Sequence, residues 1–281
     1  MSVNDLVKEF PVRSGLFRQT VDRVRAVNRV SFEIRRGETL GLVGESGSGK
    51  STTARCITRL IEPTSGSISL AGEDVVHAHR ARLLELRRKM QMVFQDPYSS
   101  LDPRMTVQRN VGEGLAIHKI GNRAERRNRV IELLELTGLG REHLSRFPWE
   151  FSGGQRQRIG IARALAVGPD LLVCDEPVSS LDVSIAAQIM NLFKDLQQRL
   201  GLTILFIAHD LAMVRHLCDH VAVMLNGELV EIGPASQIYE APQHAYTKAL
   251  LLAKSIPDPV VERERRKLRR EQLRSVDSTG S

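Results

Sequence analysis

The sequence predicts an α/β fold with a mostly parallel sheet, because short apolar runs alternate with helix-like segments along much of its 281 residues. Residues 39–43 are uniformly apolar or small, which is typical of a strand covered on both faces. A glycine-rich loop follows them, and a helix is expected from that loop to about residue 60. Residues 171–174 and 203–208 are apolar runs of the same kind. Such strands, separated by helices, predict one sheet with helices on its faces.

Other segments with a clear pattern extend this prediction. Strands are expected at residues 27–34, 38–43, 67–70, 90–94, 221–225 and 228–232. The last two of these flank Asn226 and Gly227, a dipeptide that is typical of a two-residue hairpin loop. Further helices are expected up to about residue 166 and over residues 184–200 and 210–218.

Residues 96–151 differ from the rest of the chain, because strand patterns are missing there. Within them, residues 123–136 have helical spacing, with apolar side chains at Val130, Leu133 and Leu134 and charges on the opposite face. We therefore expect an inserted α-helical subdomain. The predicted division has a first core part at residues 1–95, the helical subdomain at 96–165, a second core part at 166–240 and a C-terminal extension at 241–281.

The formal net charge of +7 raises the question of nucleic-acid binding. Residues 262–274 hold seven Arg or Lys and three Glu, so this basic tail alone supplies +4. Aromatic residues make up only 4% of the chain, and none interleaves with the basic run. The stacking surface expected of a single-strand binder is therefore missing from the sequence, and we predict no nucleic-acid partner.

Apolar runs and cysteines narrow the class of protein further. No apolar run approaches the roughly 20 residues that cross a bilayer. The first ten residues include acids and lack an apolar core, so they do not predict a secretory signal. Cys56, Cys174 and Cys218 are isolated from one another, without a CxxC pair, which favours reduced thiols in a cytosolic protein.

The glycine-rich loop has the composition of a phosphate-binding site. It consists of Gly44, Glu45, Ser46, Gly47, Ser48, Gly49, Lys50 and Ser51, followed by Thr52. Glycines let successive backbone N–H groups point inward, and the helix N-terminus adds partial positive charge. Lys50 would reach the β- and γ-phosphates, and the Ser51 hydroxyl would ligate Mg²⁺. The motif, between a buried strand and a helix, predicts a P-loop nucleoside triphosphatase.

Two acids end the apolar strand at residues 171–174. In an open parallel sheet, ligands gather at the carboxyl ends of strands, so Asp175 and Glu176 are expected beside the phosphate loop. Asp175 is predicted to hold Mg²⁺, the second anchor in P-loop enzymes. Glu176 is predicted to orient or deprotonate the attacking water.

A second glycine-bearing loop indicates the family to which the sequence is similar. Phe151 is followed by Ser152, Gly153, Gly154, Gln155, Arg156, Gln157 and Arg158. This stretch resembles the signature loop of ABC ATPases, with Phe151 in place of the usual leucine. It forms a second anion site at a helix N-terminus, which suggests that two chains close over each nucleotide. The resemblance implies ATP and Mg²⁺ as ligands and an ABC ATPase fold with an N-terminal antiparallel β region.

The resemblance also implies roles for residues outside the two loops. Gln95 matches the glutamine that senses magnesium and touches the membrane subunit, and His209 matches the histidine that contacts the γ-phosphate. Asp182 matches the acid of the loop that communicates across the dimer. The expected catalytic residues are Lys50, Gln95, Glu176 and His209, and the expected metal-binding residues are Ser51, Gln95 and Asp175.

The aromatic residue that would stack on adenine has two candidates. Phe10 is the first choice and Phe17 the alternative, because residues 13–25 are longer than a simple hairpin needs. The signature residues Ser152, Gly153, Gly154 and Gln155 are expected to bind the nucleotide held by the partner chain.

Two further stretches resemble one group within the family. Residues 94–104 resemble the glutamine loop of importers for oligopeptides, dipeptides and nickel, and residues 243–251 resemble their C-terminal motif, with Ala245 in place of the usual proline. Some relatives add cysteines for an iron–sulfur cluster, but this chain has none beyond Cys218, so no cluster is expected. Because residues 243–251 resemble that C-terminal motif, the C-terminal extension is predicted to be of the peptide-importer type.

This group implies partners and a location. They are a second ABC ATPase subunit, commonly a paralogue, two membrane-spanning permease subunits and an extracytoplasmic solute-binding protein, with the chain at the cytoplasmic face of the inner membrane. A soluble ABC ATPase acting on nucleic acid or ribosomes is one alternative. Only 102 positions separate Lys50 from Ser152, too few for the long coiled coils of genome-maintenance members. An exporter ATPase is the other alternative.

Overall fold

The computed structural model describes residues 1–14 and 19–252. Its strands are β1 Ser2–Ser14, β2 Gln19–Glu33, β3 Thr39–Val43, β4 Ser65–Leu70, β5 Glu73–Asp74, β6 Met90–Val93, β7 Leu171–Asp175, β8 Thr203–Ala208, β9 His220–Leu225 and β10 Glu228–Pro234. Its α-helices are α1 Lys50–Ile57, α2 Arg80–Lys89, α3 Pro97–Ser100, α4 Val107–Ile117, α5 Arg123–Leu136, α6 Gly153–Leu165, α7 Val183–Leu200, α8 Leu211–Val214, α9 Ala235–Glu240 and α10 Ala245–Leu252. Phe17 and the basic tail lie outside the described residues.

The strands form two sheets. The larger has the order β10-β9-β3-β8-β7-β6, in which all neighbouring strands pair in parallel except β9 and β10. The smaller has the order β2-β1-β4-β5 and is antiparallel throughout. The predicted mostly parallel sheet and the N-terminal antiparallel region are both confirmed.

The larger sheet has a core on each face, because neighbouring residues of a strand point in opposite directions. On β8, Leu205 and Ile207 belong to a cluster with apolar residues of the antiparallel sheet and α1. Ile204 and Phe206 belong to a second cluster, with residues of α4 to α7. The carboxyl ends of the central strands are therefore left as the edge where a ligand can approach.

Residues 97–165 contain helices and no strand, as expected for a helical subdomain. The predicted helix at 123–136 is α5, and its buried residues are Val130, Leu133 and Leu134. Asn122 caps this helix, accepting hydrogen bonds from the backbone N–H groups of Ala124 and Glu125. The division into parts at residues 95, 165 and 240 remains a proposal.

Three expectations were incomplete or wrong. Strand β1 was missed, and β2 begins at Gln19 rather than at residue 27. Residues 13–25, which were thought too long for a simple hairpin, therefore include paired residues of both strands, with Ser14 opposite Gln19. The helix predicted at 210–218 is only α8, Leu211–Val214, with Asp210 as its cap.

In the described part of the chain, none of the helices is long and apolar enough to cross a bilayer.

Candidate active site

The phosphate-binding loop connects β3 to α1 and is packed closely by backbone from distant segments. A Cβ atom on Gly44 would lie 2.1 Å from the carbonyl oxygen of Met224 on β9. Gly49 has φ +104°, and a Cβ atom there would lie 2.2 Å from the carbonyl oxygen of Ala26. Only glycine fits at these two positions, so the sequence spacing of the loop follows from its tertiary packing.

Lys50 is the first residue of α1, and its side chain reaches back to the start of the loop. Its Nζ donates hydrogen bonds to the carbonyl oxygens of Gly44 at 2.8 Å and Glu45 at 2.7 Å, and to Ser48 Oγ at 3.3 Å. Burial lowers the pKa of Lys50, while Glu176 and Asp175 oppose that shift. No side chain caps α1, so its first N–H groups remain available to an anion, beside a buried ammonium.

Asp175 ends β7 beside the start of α1. Ser51 Oγ donates a hydrogen bond of 2.7 Å to Asp175 Oδ1. Asp175 is only 3% exposed, and burial raises the pKa of its carboxyl group, opposed by the Ser51 hydrogen bond. A hydroxyl and a carboxylate side by side are hard oxygen donors of the kind that Mg²⁺ prefers.

Glu176 follows directly, in a left-handed backbone conformation with φ +45°. Its backbone N–H donates to the carbonyl of Ile207 at 3.1 Å, which fixes it against the neighbouring strand β8. Gln95 Nε2 donates to Glu176 Oε2 at 3.4 Å, and His209 Nδ1 lies 3.8 Å from the same oxygen. Gln95, the predicted magnesium sensor, and His209, the predicted γ-phosphate contact, therefore both lie beside the carboxylate of Glu176.

Lys50, Ser51, Gln95 and Glu176 share one cavity of about 220 Å³. It is lined by Ala26, Ser46, Gly47, Gly49, Lys50, Ser51, Thr52, Gln95 and Glu176. Ala26 was not predicted, because an alanine in a strand gives no sequence signal of a ligand. A larger hollow of about 490 Å³ lies between α4 and α5, and none of the predicted site residues lines it.

Phe10 lies on β1, the strand that pairs with β2, which carries the cavity residue Ala26. It is 39% exposed and pairs with Val24, which is two residues before Ala26. Lys8 Nζ lies 5.0 Å from the centre of its ring. Phe10 is therefore a partly exposed aromatic residue whose contact with adenine stays a prediction, and Phe17 lies outside the described residues.

The signature residues lie at the start of α6, and none of them lines the cavity. Ser152 Oγ accepts from the backbone N–H of Gln155 at 3.4 Å, and Ser152 N–H donates to Gln155 Oε1 at 3.1 Å, which is a capping box. Gly154 packs so closely on α7 that a Cβ atom would lie 2.4 Å from Ile185 Cγ2. Asp182 caps α7 through the N–H of Ile185, at 2.9 Å.

One contact to the phosphate-binding loop was not predicted. The backbone N–H of Glu45 donates to the hydroxyl of Tyr246 on α10, at 3.0 Å. The sequence signal for Tyr246 was its position in residues 243–251, which gave a resemblance but no role.

Comparison with known families explains the joint presence of both loops. The family model described as "ABC transporter" matches residues 27–179. The chain belongs to the ABC transporter family. A second model, described as "Oligopeptide/dipeptide transporter, C-terminal region", matches residues 230–280 of this ABC ATPase.

Curated relatives are similar to this ABC ATPase over most of its length. It is 60% identical to the oligopeptide transport ATP-binding protein OppF of Bacillus subtilis, over 86% of this chain and 80% of that protein. It is 51% identical to a putative peptide import ATP-binding protein of Brucella ovis, over 96% of this chain and 83% of that protein. It is 49% identical to a glutathione import ATP-binding protein of Pectobacterium atrosepticum, but spans only 44% of that longer protein.

Solved structures agree. A dimeric ATP-binding cassette in a post-hydrolysis state with ADP and phosphate matches with a TM-score of 0.74 and 30% identity, over 83% of this chain and 98% of that chain. The predicted fold and the predicted family are confirmed, and the chain is an ABC ATPase.

Proposed function

We propose that this ABC ATPase is the ATP-hydrolysing subunit of an importer for peptides. The observation that carries hydrolysis is the cavity lined by Lys50, Ser51 and Glu176, with Asp175 hydrogen-bonded to Ser51. Support for import of peptides comes from the match of residues 230–280 to the oligopeptide/dipeptide transporter C-terminal region and from the names of the relatives in Bacillus and Brucella.

The residues present fit ATP and Mg²⁺. The loop offers backbone N–H groups at the uncapped start of α1 and a buried ammonium on Lys50, which together suit a polyphosphate. Ser51 and Asp175 offer two hard oxygens 2.7 Å apart, and Gln95 lines the same cavity as Ser51. When bound there, Mg²⁺ would neutralise charge on the phosphate oxygens.

The chain's own side chains account for the hydrolytic step. Glu176 is held by backbone contact to β8, with its carboxylate facing the loop cavity, so it acts as the base for the attacking water. Gln95 and His209 both approach this carboxylate, and they orient the water and the γ-phosphate. Lys50 stabilises the negative charge that is spread over the γ-phosphoryl group during transfer.

Half of each complete site comes from a second chain. Ser152, Gly153, Gly154 and Gln155 form an anion-binding helix start that does not line this chain's own cavity. In a face-to-face dimer, we propose, these residues contact the γ-phosphate held by the partner, and Asp182 at the adjacent helix start communicates across the interface. The partner ATPase is proposed to be a paralogue.

The remaining partners follow from the importer assignment. Two membrane-spanning permease subunits receive the motion through the glutamine loop that begins at Gln95, and an extracytoplasmic solute-binding protein delivers the peptide. The chain is proposed to lie peripherally at the cytoplasmic face of the inner membrane. The nucleic-acid and exporter alternatives are not favoured, because the C-terminal match is to peptide transporters.

Substitution Glu176→Gln tests the hydrolytic assignment, because the amide keeps the shape of the side chain but cannot take a proton. We expect phosphate release to fall about 100-fold or more, while ATP binding by equilibrium titration persists. Glu132→Gln on the exposed face of α5 is the matched control and should hydrolyse ATP at the normal rate. Normal phosphate release by the Glu176→Gln protein would remove Glu176 from the mechanism.

A further inference from the structure

The C-terminal helix α10 contacts the phosphate-binding loop directly. Tyr246 is only 3% exposed, and its hydroxyl accepts the hydrogen bond from the backbone N–H of Glu45 at 3.0 Å. The carbonyl oxygen of Glu45 accepts from Lys50 Nζ at 2.7 Å. The main chain of one loop residue is therefore held from both sides, by the phosphate-binding lysine and by a tyrosine 201 positions away.

The segment that carries Tyr246 is itself anchored. Glu231 on β10 accepts hydrogen bonds from the backbone N–H groups of Gln243 at 2.8 Å and His244 at 3.0 Å. The Nδ1 atom of His244 in turn accepts from the backbone N–H of Tyr246 at 3.2 Å. These bonds fix where α10 begins, and so they fix the position of the tyrosine hydroxyl relative to the loop.

The β9–β10 hairpin contacts the phosphate-binding loop at a second point. The backbone N–H of Gly227, in the β9–β10 hairpin, donates to the carbonyl of Ser48 at 3.0 Å. The loop is thus attached near both ends to residues that follow β9, and its N–H groups are pre-oriented before any nucleotide arrives. Preorganised donors bind an anion more tightly, because no ordering cost remains to be met on binding.

We propose that Tyr246 is a positioning residue for the phosphate-binding loop, acting through the backbone of Glu45. This inference rests on the proposed function, since it concerns binding of ATP at that loop. It gives the region matched by the peptide-transporter C-terminal model a role in nucleotide binding. Loss of the hydroxyl removes this hydrogen bond and loosens the start of the loop.

Substitution Tyr246→Phe tests the proposal, because it removes the hydroxyl and keeps the buried ring. We expect the Kd for ATP and for ADP to rise about tenfold in the full chain, as for loss of one buried hydrogen bond. The KM for ATP should rise in parallel, with kcat at saturating ATP nearly unchanged. Tyr239→Phe is the matched control, since its hydroxyl donates to the carbonyl of Leu211 and does not touch the loop.

A second variant approaches the same contact from its anchor. Glu231→Gln keeps Tyr246 intact and weakens the acceptor for Gln243 and His244, so we expect the Kd for ATP to rise by a smaller factor, about threefold. An unchanged Kd in the Tyr246→Phe protein would overturn the proposal. So would an equal rise in the Tyr239→Phe protein at equal loss of thermal stability. Failure of the unsubstituted chain to bind ATP would instead contradict the proposed function.

Discussion

Two glycine-bearing loops stand at helix starts in this protein, and their surroundings differ. The loop before α1 is enclosed by the carbonyls of Ala26 and Met224 and lines a cavity with Gln95 and Glu176. The loop before α6 is on the surface, and Ser152 is exposed. Its polar groups serve its own helix, through the capping box with Gln155.

The difference shows which chemistry is complete within one chain. Around the first loop, the chain brings together a buried ammonium, two adjacent oxygen donors and the carboxylate of Glu176, the proposed base. The second loop has the anion-binding character of a helix N-terminus but faces none of these groups. The same kind of local sequence therefore serves the chain's own nucleotide in one place and, we propose, a partner's nucleotide in the other.

The largest expected effect lies in the enclosed loop. Gly49→Ala should weaken ATP binding about 100-fold or more, because left-handed strain adds to the overlap with the carbonyl of Ala26. Gly168→Ala is the control, since Gly168 is also left-handed, with φ +66°, but has open space around it. Equilibrium titration with ATP measures both variants, and near-normal binding by Gly49→Ala would mean that the loop is not closely packed.

The exposed loop should respond in a different assay. Ser152→Ala should leave ATP binding to the single chain unchanged and lower hydrolysis about 10- to 100-fold, the loss expected for a hydrogen bond to a charged phosphate. Asn122→Ala is the matched control, because it removes the capping box of α5 at a similar cost of about 1 kcal/mol to stability. Equal hydrolysis by the two variants would assign Ser152 a capping role only.

A smaller effect on ATP binding is expected at Phe10, the predicted adenine contact. Phe10→Ala should raise the Kd for ATP about tenfold, as for loss of one stacked base. Phe17→Ala, made in parallel, should leave it unchanged. The reverse pattern would move the adenine contact to Phe17.

The smallest effect concerns stability without nucleotide. Burial raises the pKa of Asp175 above its unfolded value of 3.8, so its contribution to stability is full below that pH and is lost as pH rises through the folded pKa. Asp175→Asn should therefore raise the melting temperature at pH 7, by about 2 °C. The difference should shrink near pH 3, and exposed Asp195→Asn should show none. A lower melting temperature at pH 7 would mean that the Asp175 charge is stabilising.

Much of the fold could be predicted, for physical reasons. The buried strands are continuous apolar runs, and β8 begins and ends where the pattern indicates, at Thr203 and Ala208. Strand β1 was missed because its sequence mixes charged and apolar residues, and long-range pairing with β2 holds it in place. The helix from residue 210 was predicted too long, because apolar spacing continues beyond Val214 although α8 ends there.

The candidate site likewise has residues that the sequence predicts and residues that it does not. The phosphate-binding loop and the pair Asp175 and Glu176 could be predicted, because their spacing and flanking strand are local signals. The contributions of Ala26 and Tyr246 could not, since each depends on a contact between segments far apart in the sequence. No local pattern encodes such a contact.

The central claim is that a complete site needs a second chain, and turnover per chain against protein concentration tests it most directly. We expect phosphate release per chain to rise with concentration, or to appear only when the partner ATPase is added, and Ser152→Ala to reduce that rise about 10- to 100-fold. A constant turnover per chain, in a sample that light scattering shows to be monomeric with ATP bound, would contradict the account.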